Sequence, residues 1–451
     1  MTHKNVAHTA WWLCALLAAA PAAALDLVQA YELARQQDTE LRAARAARDV
    51  GMERVPQAQA QLRPKITIGI NQSFNNLQRS VGSSPLVADA NQGYQQSLQL
   101  RQSVYSKPLR LGLLQAQQEE RNAEAVLQAE EQALVVRLAQ AYFQILLSQD
   151  SLTLLLKQQA LYEAQADAAR KSLAAGAGTR TDIDEAVVRL DLSKSDELDI
   201  RQQAAVANTQ LAILLGRPPV GLSALRAEPL VPQAPDTRAL EEWVKLAQDH
   251  SPELRAIQAQ VEAARLGVER AQAAGQPTLD AVLQWTRSGG ENLNSPNSRY
   301  VNKGVSLQLN MPLYTSGLID STVRQALAEW TRLQETEEVV RRDIALQVTR
   351  QHGGVTVGLR KVQAMQQAEQ SALQLVASSR RSLQAGSRTV LDVLDAEQRL
   401  QDTRRQLAQA RYSYLLAKLQ LDVLAGQSQE IALQDINHWL RPASAPLFTN
   451  D

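Results

Sequence analysis

The sequence contains a single cysteine, Cys14, among 451 residues, and only 4% of its residues are aromatic. One thiol near the N-terminus excludes disulfide frameworks and thiolate metal sites from the rest of the chain. Lys and Arg together number 47, as do Asp and Glu, so the basic surplus that nucleic-acid binding requires is missing. No nucleic-acid partner is therefore predicted.

The motifs of enzymes and of nucleotide-driven pumps are also missing. The sequence has no phosphate-binding loop of the P-loop type, no nucleophile elbow and no H-E-x-x-H zinc motif. Beyond residue 8 the histidines are His250, His352 and His438, and none has carboxylates at ligand spacing. No enzyme activity, metal or cofactor is predicted, and any transport has to be driven by a partner.

Long apolar runs are confined to the N-terminus. A weakly basic start precedes an apolar stretch at 10–20, and Pro-Ala-Ala-Ala at 21–24 offers a small-residue cleavage site. We interpret residues 1–24 as an export signal, with a buried N-terminal helix as the alternative. Cys14 lies inside this stretch, so lipid attachment is not predicted. After residue 24 no run of ~18 apolar residues occurs, which argues against a helical membrane span.

An internal repeat organises the rest of the chain. At an offset of roughly 210 residues, three blocks match in the same order: 27–43 with 240–256, 97–105 with 306–314, and 172–186 with 382–396. A shared bias towards Ala and Gln could mimic one such block but hardly three. The predicted divisions are a signal at 1–24, a first repeat at 25–237, a second repeat at 238–430 and a C-terminal tail at 431–451.

Each repeat has the same predicted order of elements: helix, strand, strand, long helix, helix. In the first repeat they lie at 27–62, 65–77, 94–105, 108–173 and 181–215. In the second they lie at 239–275, 277–287, 299–312, 317–384 and 389–425. Apolar residues in the long helices step by three and four, as at Val135, Leu138 and Tyr142, which is the seam of a coiled coil. Because a helix of about 65 residues spans roughly 100 Å, we expect the two shorter helices to stack end to end beside it.

The four strand segments have the alternation that is typical of transmembrane β-strands. In the first, Ile66, Ile68 and Ile70 alternate with polar residues, although a half-buried soluble strand has the same pattern. Four strands cannot close a barrel, and an open edge is not tolerated in lipid. The strands then have to be shared between chains. The predicted fold class is mixed α and β: a long coiled-coil α-helical barrel plus four transmembrane β-strands per chain, closing as a trimeric 12-strand β-barrel.

Polar residues cluster at two glycine turns between the long helices and their partners. With the turn glycines, they are Gly176, Thr179, Arg180, Thr181, Asp182, Asp184 and Glu185 in the first repeat and Gly386, Arg388, Asp392 and Asp395 in the second. Helix N-capping is the simpler interpretation, and it is favoured for Asp184 and Glu185. For Asp392 and Asp395 a pore role is favoured, because threefold symmetry would turn each into a ring of carboxylates on one helix face.

Several segments resemble the TolC family of outer-membrane channel proteins. The most specific is GSRTVLDVLDA at 386–396, and residues 252–254, 311–314 and 410–415 add to it. The resemblance covers nearly the whole chain after the signal. It implies a homotrimeric channel-tunnel in outer-membrane lipid, with a 12-strand β-barrel and a periplasmic α-helical barrel. It also implies a periplasmic adaptor and an inner-membrane ABC or proton-driven transporter as partners, with drugs or type I secreted polypeptides as cargo.

The resemblance also implies roles for the turn residues, since in the family an aspartate ring lines the periplasmic entrance and links between helices close it. The matching residues are Asp392 and Asp395 for the ring and Arg388, Asp182 and Thr181 for the closing links. Leu383 stands where the family has a tyrosine, so a hydrogen bond to Asp182 would be missing here.

Two further expectations complete the sequence-based description. The segment His352-Gly353-Gly354 lies inside a predicted helix, where glycines are costly, and predicts a local bend. The alternative function is a periplasmic coiled-coil adaptor or scaffold. An adaptor would be expected to have one helical hairpin flanked by small β-domains, whereas this chain has two hairpins and four strand segments.

Overall fold

The computed structural model describes residues 25–80, 82–83, 85, 87–226, 238–290 and 298–441. The predicted signal at 1–24 lies outside the described residues, and so do 442–451 of the predicted tail.

The first half of the chain begins with three short helices, α1 (Leu27–Gln37), α2 (Thr39–Met52) and α3 (Arg54–Leu62). The prediction of one helix over 27–62 is therefore wrong, and the first break has a local cause. The Oδ1 atom of Asp38 accepts hydrogen bonds from the backbone N–H groups of Glu40 at 2.6 Å and Leu41 at 3.1 Å. Its backbone ψ of 127° lies outside the helical range. Asp38 thus ends α1 and caps α2.

Two strands and the first long hairpin follow. They are β1 (Lys65–Arg79), β2 (Val87–Tyr105), α4 (Lys107–Ala174) and α5 (Arg180–Leu215), with a short strand β3 (Ala224–Leu225) after them. The predicted strands and helices are confirmed in place, although β2 begins before the predicted residue 94. Ser106 caps α4, and Pro108 lies in its first turn, where a missing N–H group has no cost.

The second half repeats this order and adds a short terminal unit. Its elements are α6 (Leu240–His250), α7 (Pro252–Ala273), β4 (Thr278–Gly290), β5 (Ser298–Asn310), α8 (Leu318–Gln384), α9 (Val390–Leu424), α10 (Gln429–Asn437) and β6 (Leu440–Arg441). The predicted helix at 239–275 is broken at Ser251, whose hydroxyl accepts from the N–H of Leu254 at 3.2 Å. Pro252 follows at the first helical position, where its fixed φ favours a new helix.

The segment His352-Gly353-Gly354 lies within α8, which continues through it as one helix. A Cβ atom at Gly354 would lie 2.9 Å from the Cβ of Ala417 on α9. The glycine therefore lets the two helices of this hairpin approach closely.

Each long helix is flanked by the shorter helices of its own repeat, as predicted. α4 packs against α1, α2, α3 and α5, while α8 packs against α6, α7 and α9. α4 also contacts α7 and α9, which joins the two repeats along its length.

The largest apolar core surrounds the middle of α4. Leu134, Leu138 and Tyr142 of α4 are fully buried there, together with residues of α1, α5, α9 and α10. The Tyr142 hydroxyl lies 2.9 Å from the carbonyl oxygen of Leu25 and 3.0 Å from that of Ser223, so the buried polar group is satisfied. Residues 431–441, predicted as part of a tail, instead contribute α10 and β6 to this core.

A four-stranded antiparallel sheet in the order β1-β2-β4-β5 extends from one end of the helices. Its register aligns a row of apolar residues across all four strands on one face: Ile66, Leu100, Leu283 and Val305. The next row on this face has Ile68, Leu98 and Trp285 and ends at the charged Lys303. The opposite face is polar, as in the row Thr67, Gln99, Gln284, Gly304. The apolar face is open: Ile68 is 76% exposed and Val305 is 78% exposed.

Among the described residues, no helix has the combination of length and hydropathy that a membrane-crossing helix needs.

Candidate functional site at the hairpin tips

The two long hairpins end in turns of the same geometry, as the repeat predicts. Gly176 and Gly386 adopt φ values of 75° and 73°, a left-handed conformation that glycine reaches without strain. In each turn the glycine N–H donates to the third residue before it, Leu173 or Leu383, at 3.0 Å. The predicted turns are confirmed at both positions.

The helices that follow the turns begin with identical capping boxes. The Thr179 hydroxyl lies 3.3 Å from the backbone N–H of Asp182, and the Asp182 carboxylate accepts from the Thr179 N–H at 3.0 Å. The corresponding distances for Thr389 and Asp392 are 3.3 Å and 2.8 Å. Hydrogen bonds from the threonine hydroxyl and backbone lower the pKa of Asp182 below its usual value, and those from the Thr389 backbone and hydroxyl lower the pKa of Asp392.

The capping prediction for Asp184 and Glu185 is wrong, because Thr179 is the N-cap residue of α5 and Asp182 is the acidic residue of its first turn. Asp184 lies 3.9 Å from Arg180 one turn earlier on the same exposed surface. Glu185 accepts from the Nε of Arg189 at 3.1 Å. Both acids therefore pair with arginines of their own helix.

Asp395 takes part in a contact that sequence analysis missed. Arg189 of α5 reaches α9, where its Nη2 donates to Asp395 Oδ1 at 2.6 Å and its Nη1 to Gln398 Oε1 at 2.7 Å. The Arg189 side chain is only 16% exposed. Two bonds to one helix and a third to Glu185 hold the guanidinium in place, and charge-assisted bonds of this kind are the stronger ones. Arg189 thus ties the tip of one hairpin to the tip of the other.

The repeat contains a signal that could have pointed to this contact. Glu185 and Asp395 occupy equivalent positions under the offset that aligns Gly176 with Gly386, and both are acidic. Arg189 lies one turn after Glu185, so it can form an ion pair with Glu185 on its own helix and with Asp395 when α9 is adjacent.

The predicted closing residues are not brought together within one chain. Arg388 Nη1 donates to the hydroxyl of Ser379 at 2.6 Å, and Ser379 is fully buried on α8 of the same hairpin. Asp182 is bonded to Thr179, and Thr181 is exposed. Leu383, at the tyrosine position, lines a groove with Leu161 of α4 and Val393 of α9, and its side chain has no hydroxyl that could donate to Asp182.

A metal centre is not found in the part of the chain that the structure describes, where no three His, Cys, Asp or Glu side chains are grouped as ligands.

An antiparallel sheet with one exposed apolar face, set at the end of two long helical hairpins with charged tips, defines a class of outer-membrane channel proteins. The chain belongs to the outer membrane efflux protein family: the family model matches residues 30–217 and 243–427, one match for each repeat.

Known relatives agree with this assignment. The protease secretion protein PrtF of Dickeya chrysanthemi is 31% identical over 437 residues, which cover 96% of this chain and 94% of that protein. The alkaline protease secretion protein AprF of Pseudomonas aeruginosa is 28% identical over 433 residues, covering 93% and 88%. The solved outer-membrane channel OprN has the same fold, with a TM-score of 0.75 at 17% identity over 90% of each chain.

The resemblance noted in the sequence is therefore confirmed, and so is the location in the outer membrane with a periplasmic helical part. The chain is an outer-membrane exit duct for export. The alternative of a periplasmic adaptor or scaffold has no support, since the fold contains two hairpins joined through one sheet.

Proposed function

We propose that three copies of this chain form the outer-membrane duct of a type I secretion system whose cargo is a polypeptide. The similarity to PrtF and AprF, which are named as protease secretion proteins, supports this cargo class over small drugs. A periplasmic adaptor and an inner-membrane ABC transporter complete the pathway in this proposal, because the sequence has no P-loop motif for nucleotide binding. A proton-driven transporter is the alternative partner if the cargo is a small molecule.

The main support for assembly from three copies is the exposed four-stranded sheet. Its apolar face is exposed, and β1 and β5 each have one edge without a partner among the described residues. Unpaired backbone groups are not tolerated in lipid, so an edge must meet an edge of another copy. Pairing β1 of one copy with β5 of the next closes a barrel, and three copies supply the twelve strands of a bacterial barrel of ordinary size.

A second surface supports assembly of several copies. On α5, Val188, Leu192, Val206 and Ile213 are spaced so that they share one side of the helix, and they are between 51% and 64% exposed. The heptad series on this side is Leu192, Asp199, Val206 and Ile213, so three of its four positions are apolar, as in the seam of a coiled coil with one polar position. Contact with a neighbouring copy would bury this stripe along the helical part of the duct.

The polar face of the sheet suits the inside of such a barrel. Its middle rows carry uncharged side chains such as Thr67, Gln99 and Gln284. An uncharged, hydrated lining offers few strong binding sites, so an extended polypeptide can pass without being held.

The hairpin tips form the periplasmic entrance in this proposal. Asp392 and Asp395 form the acidic ring, while Arg388, Asp182 and Thr181 link neighbouring copies when the entrance is closed. Arg189 adds a link inside each copy. Because Arg189 neutralises Asp395 in this state, Asp392 carries most of the ring's free negative charge until the tips separate.

A secretion assay tests the proposal. Cells that lack the outer-membrane component of a protease type I system are given this chain, and protease activity is measured in the culture medium. We expect the activity to return, because the fold and tips match those of the lost component. A matched control carries the same chain without β4 and β5. Absence of secreted protease, together with restored resistance to small antibiotics, would favour the drug-export alternative.

A further inference from the structure

We propose that the outward face of the sheet binds the phosphorylated headgroup of an outer-leaflet lipid through Arg287, Arg299 and Lys303. The inference rests on the proposed barrel, because that assembly turns the apolar face towards lipid.

The register places the three cations in one patch. Arg287 on β4 lies opposite Val301 on β5, so Arg299 and Lys303 are its two diagonal neighbours on the same face. Diagonal neighbours in an antiparallel pair lie about 7–8 Å apart, within reach of long side chains. Three cations at this spacing can converge on one headgroup.

The patch has no counter-charge within the described part of the molecule. No ion pair or hydrogen bond joins the three side chains to a described residue, and all three are exposed. The only acidic residue of β4 and β5 is Asp280, which lies on the opposite face and pairs with Arg101 at 2.5 Å. Among the described residues, then, no side chain supplies an anion to the patch.

The depth of the patch points to headgroups instead of acyl chains. On β4 and β5 the apolar residues Leu283, Val305 and Leu307 lie at the middle of the strands and towards the ends that join the helices. Arg287 and Arg299 lie towards the hairpin end, and Lys303 lies one residue beyond the middle of β5 on that side. Since the helices are periplasmic, the hairpin end is the extracellular one. Cations on the lipid face are tolerated near the membrane interface but are costly at its centre.

Two aromatic side chains frame the patch. Trp285 lies opposite Lys303, and the ring of Tyr94 covers Gly289, where an added Cβ would lie 2.7 Å from ring atoms. Gly289 is opposite Arg299, so Tyr94 lies beside that arginine on the same face. Tyr and Trp prefer the boundary between apolar chains and polar headgroups. Arginine binds phosphate through two parallel N–H groups, which makes a phosphorylated lipid the ligand of choice.

The experiment compares lipid retention by the full-length protein in detergent, measured by native mass spectrometry. The variant carries Arg287→Gln, Arg299→Gln and Lys303→Gln. The control carries the same loss of charge at exposed helix positions, Arg42→Gln, Lys245→Gln and Arg350→Gln. Each protein is incubated with bisphosphorylated lipid A, with dephosphorylated lipid A, or with bisphosphorylated lipid A plus excess inorganic phosphate. Assembly and channel conductance are measured on the same samples.

We expect the wild type and the control to retain bisphosphorylated lipid A and the patch variant to lose about tenfold or more of this binding. Dephosphorylated lipid A should not be retained, and inorganic phosphate should not displace the lipid. Equal retention by a trimeric, conducting patch variant would overturn the lipid site alone. Displacement by phosphate would reduce the patch to a simple anion site, and a wild type that stays monomeric would overturn the barrel and the lipid site together.

Discussion

At the scale of single residues, one arginine side chain holds the two hairpin tips together. Arg189 is half of the only described ion pair that joins α5 to α9. Two of its three bonds, to Asp395 and Gln398, cross from α5 to α9, so the free energy they supply is lost when the hairpins separate. The bond to Glu185 stays within α5. The acidic residues at the tips are thus divided between capping, at Asp182 and Asp392, and linking, at Asp395.

Replacing Arg189 with Gln should raise the single-channel conductance of the resting channel in planar bilayers. The substitution removes a charge-assisted link of about 1.5–3 kcal/mol from each copy. Arg201→Gln is the matched control, since Arg201 lies on the same helix and pairs only with Glu197 one turn away. We expect no change in conductance for the control. An unchanged conductance for Arg189→Gln in an assembled channel would remove this contact from the gate.

The lowered pKa of Asp392 predicts a pH dependence. Its carboxylate is ionised down to a lower pH than a free aspartate, because Thr389 donates hydrogen bonds to the charged form. Its contribution to stability is present above the unfolded pKa and is lost as the pH falls through the folded pKa.

Thr389→Val should raise the pKa of Asp392 towards its usual value, since the hydroxyl donor is lost. Block of the channel by a trivalent cation should then disappear at a higher pH in this variant than in the wild type. Thr179→Val removes the matching cap on the other hairpin and serves as the control. Identical pH profiles for wild type and Thr389→Val would show that Asp392 does not contribute to the blocking site.

At the scale of elements, the periodic patterns in the sequence located the strands and the long helices. The features that depend on one side chain, such as a helix break or an ion pair between helices, were not predicted. The alternation at Ile66, Ile68 and Ile70 and the glycines at the turns located the strands and hairpin tips. The helix breaks at Asp38 and Ser251 were missed, although an aspartate and a Ser-Pro pair are recognised signals for the start of a helix. The Arg189 contact was missed because its two ends are 206 residues apart, and the equivalence of Glu185 and Asp395 in the repeat was not used to connect them.

The break at Asp38 also joins two elements, which makes it a test of stability. Its second carboxylate oxygen lies 3.2 Å from Arg137 of α4, and the Asp38 side chain is only 2% exposed. Asp38→Ala removes the cap of α2 and leaves Arg137 with its other partners, Glu40 and Glu130.

We expect Asp38→Ala to lower the free energy of unfolding by roughly 2–3 kcal/mol, from the lost cap and the lost buried bond. Asp49→Ala, at an exposed position of α2, should change it by less than about 0.5 kcal/mol. Denaturant unfolding of the detergent-solubilised protein, followed by helical circular dichroism, measures both. Similar midpoints for Asp38→Ala and the wild type would show that the break does not depend on this cap.

At the scale of the whole molecule, a single chain leaves apolar surface exposed and sheet edges without a partner among its described residues. Its sheet exposes an apolar face and two edges, and α5 exposes an apolar stripe. Each copy of the internal repeat supplies two strands and one hairpin, so the proposed trimer would contain six similar units around its axis. A barrel and a tunnel of this kind need no catalytic residue, which agrees with the absence of catalytic motifs in the sequence.

The central claim is that the barrel is shared between chains, and the mass of the detergent-solubilised protein tests it most directly. Native mass spectrometry of the intact assembly should give three times the mass of one chain, with no dependence on protein concentration above the micromolar range. A particle with the mass of a single chain, stable and extracted from the outer membrane, would contradict the account.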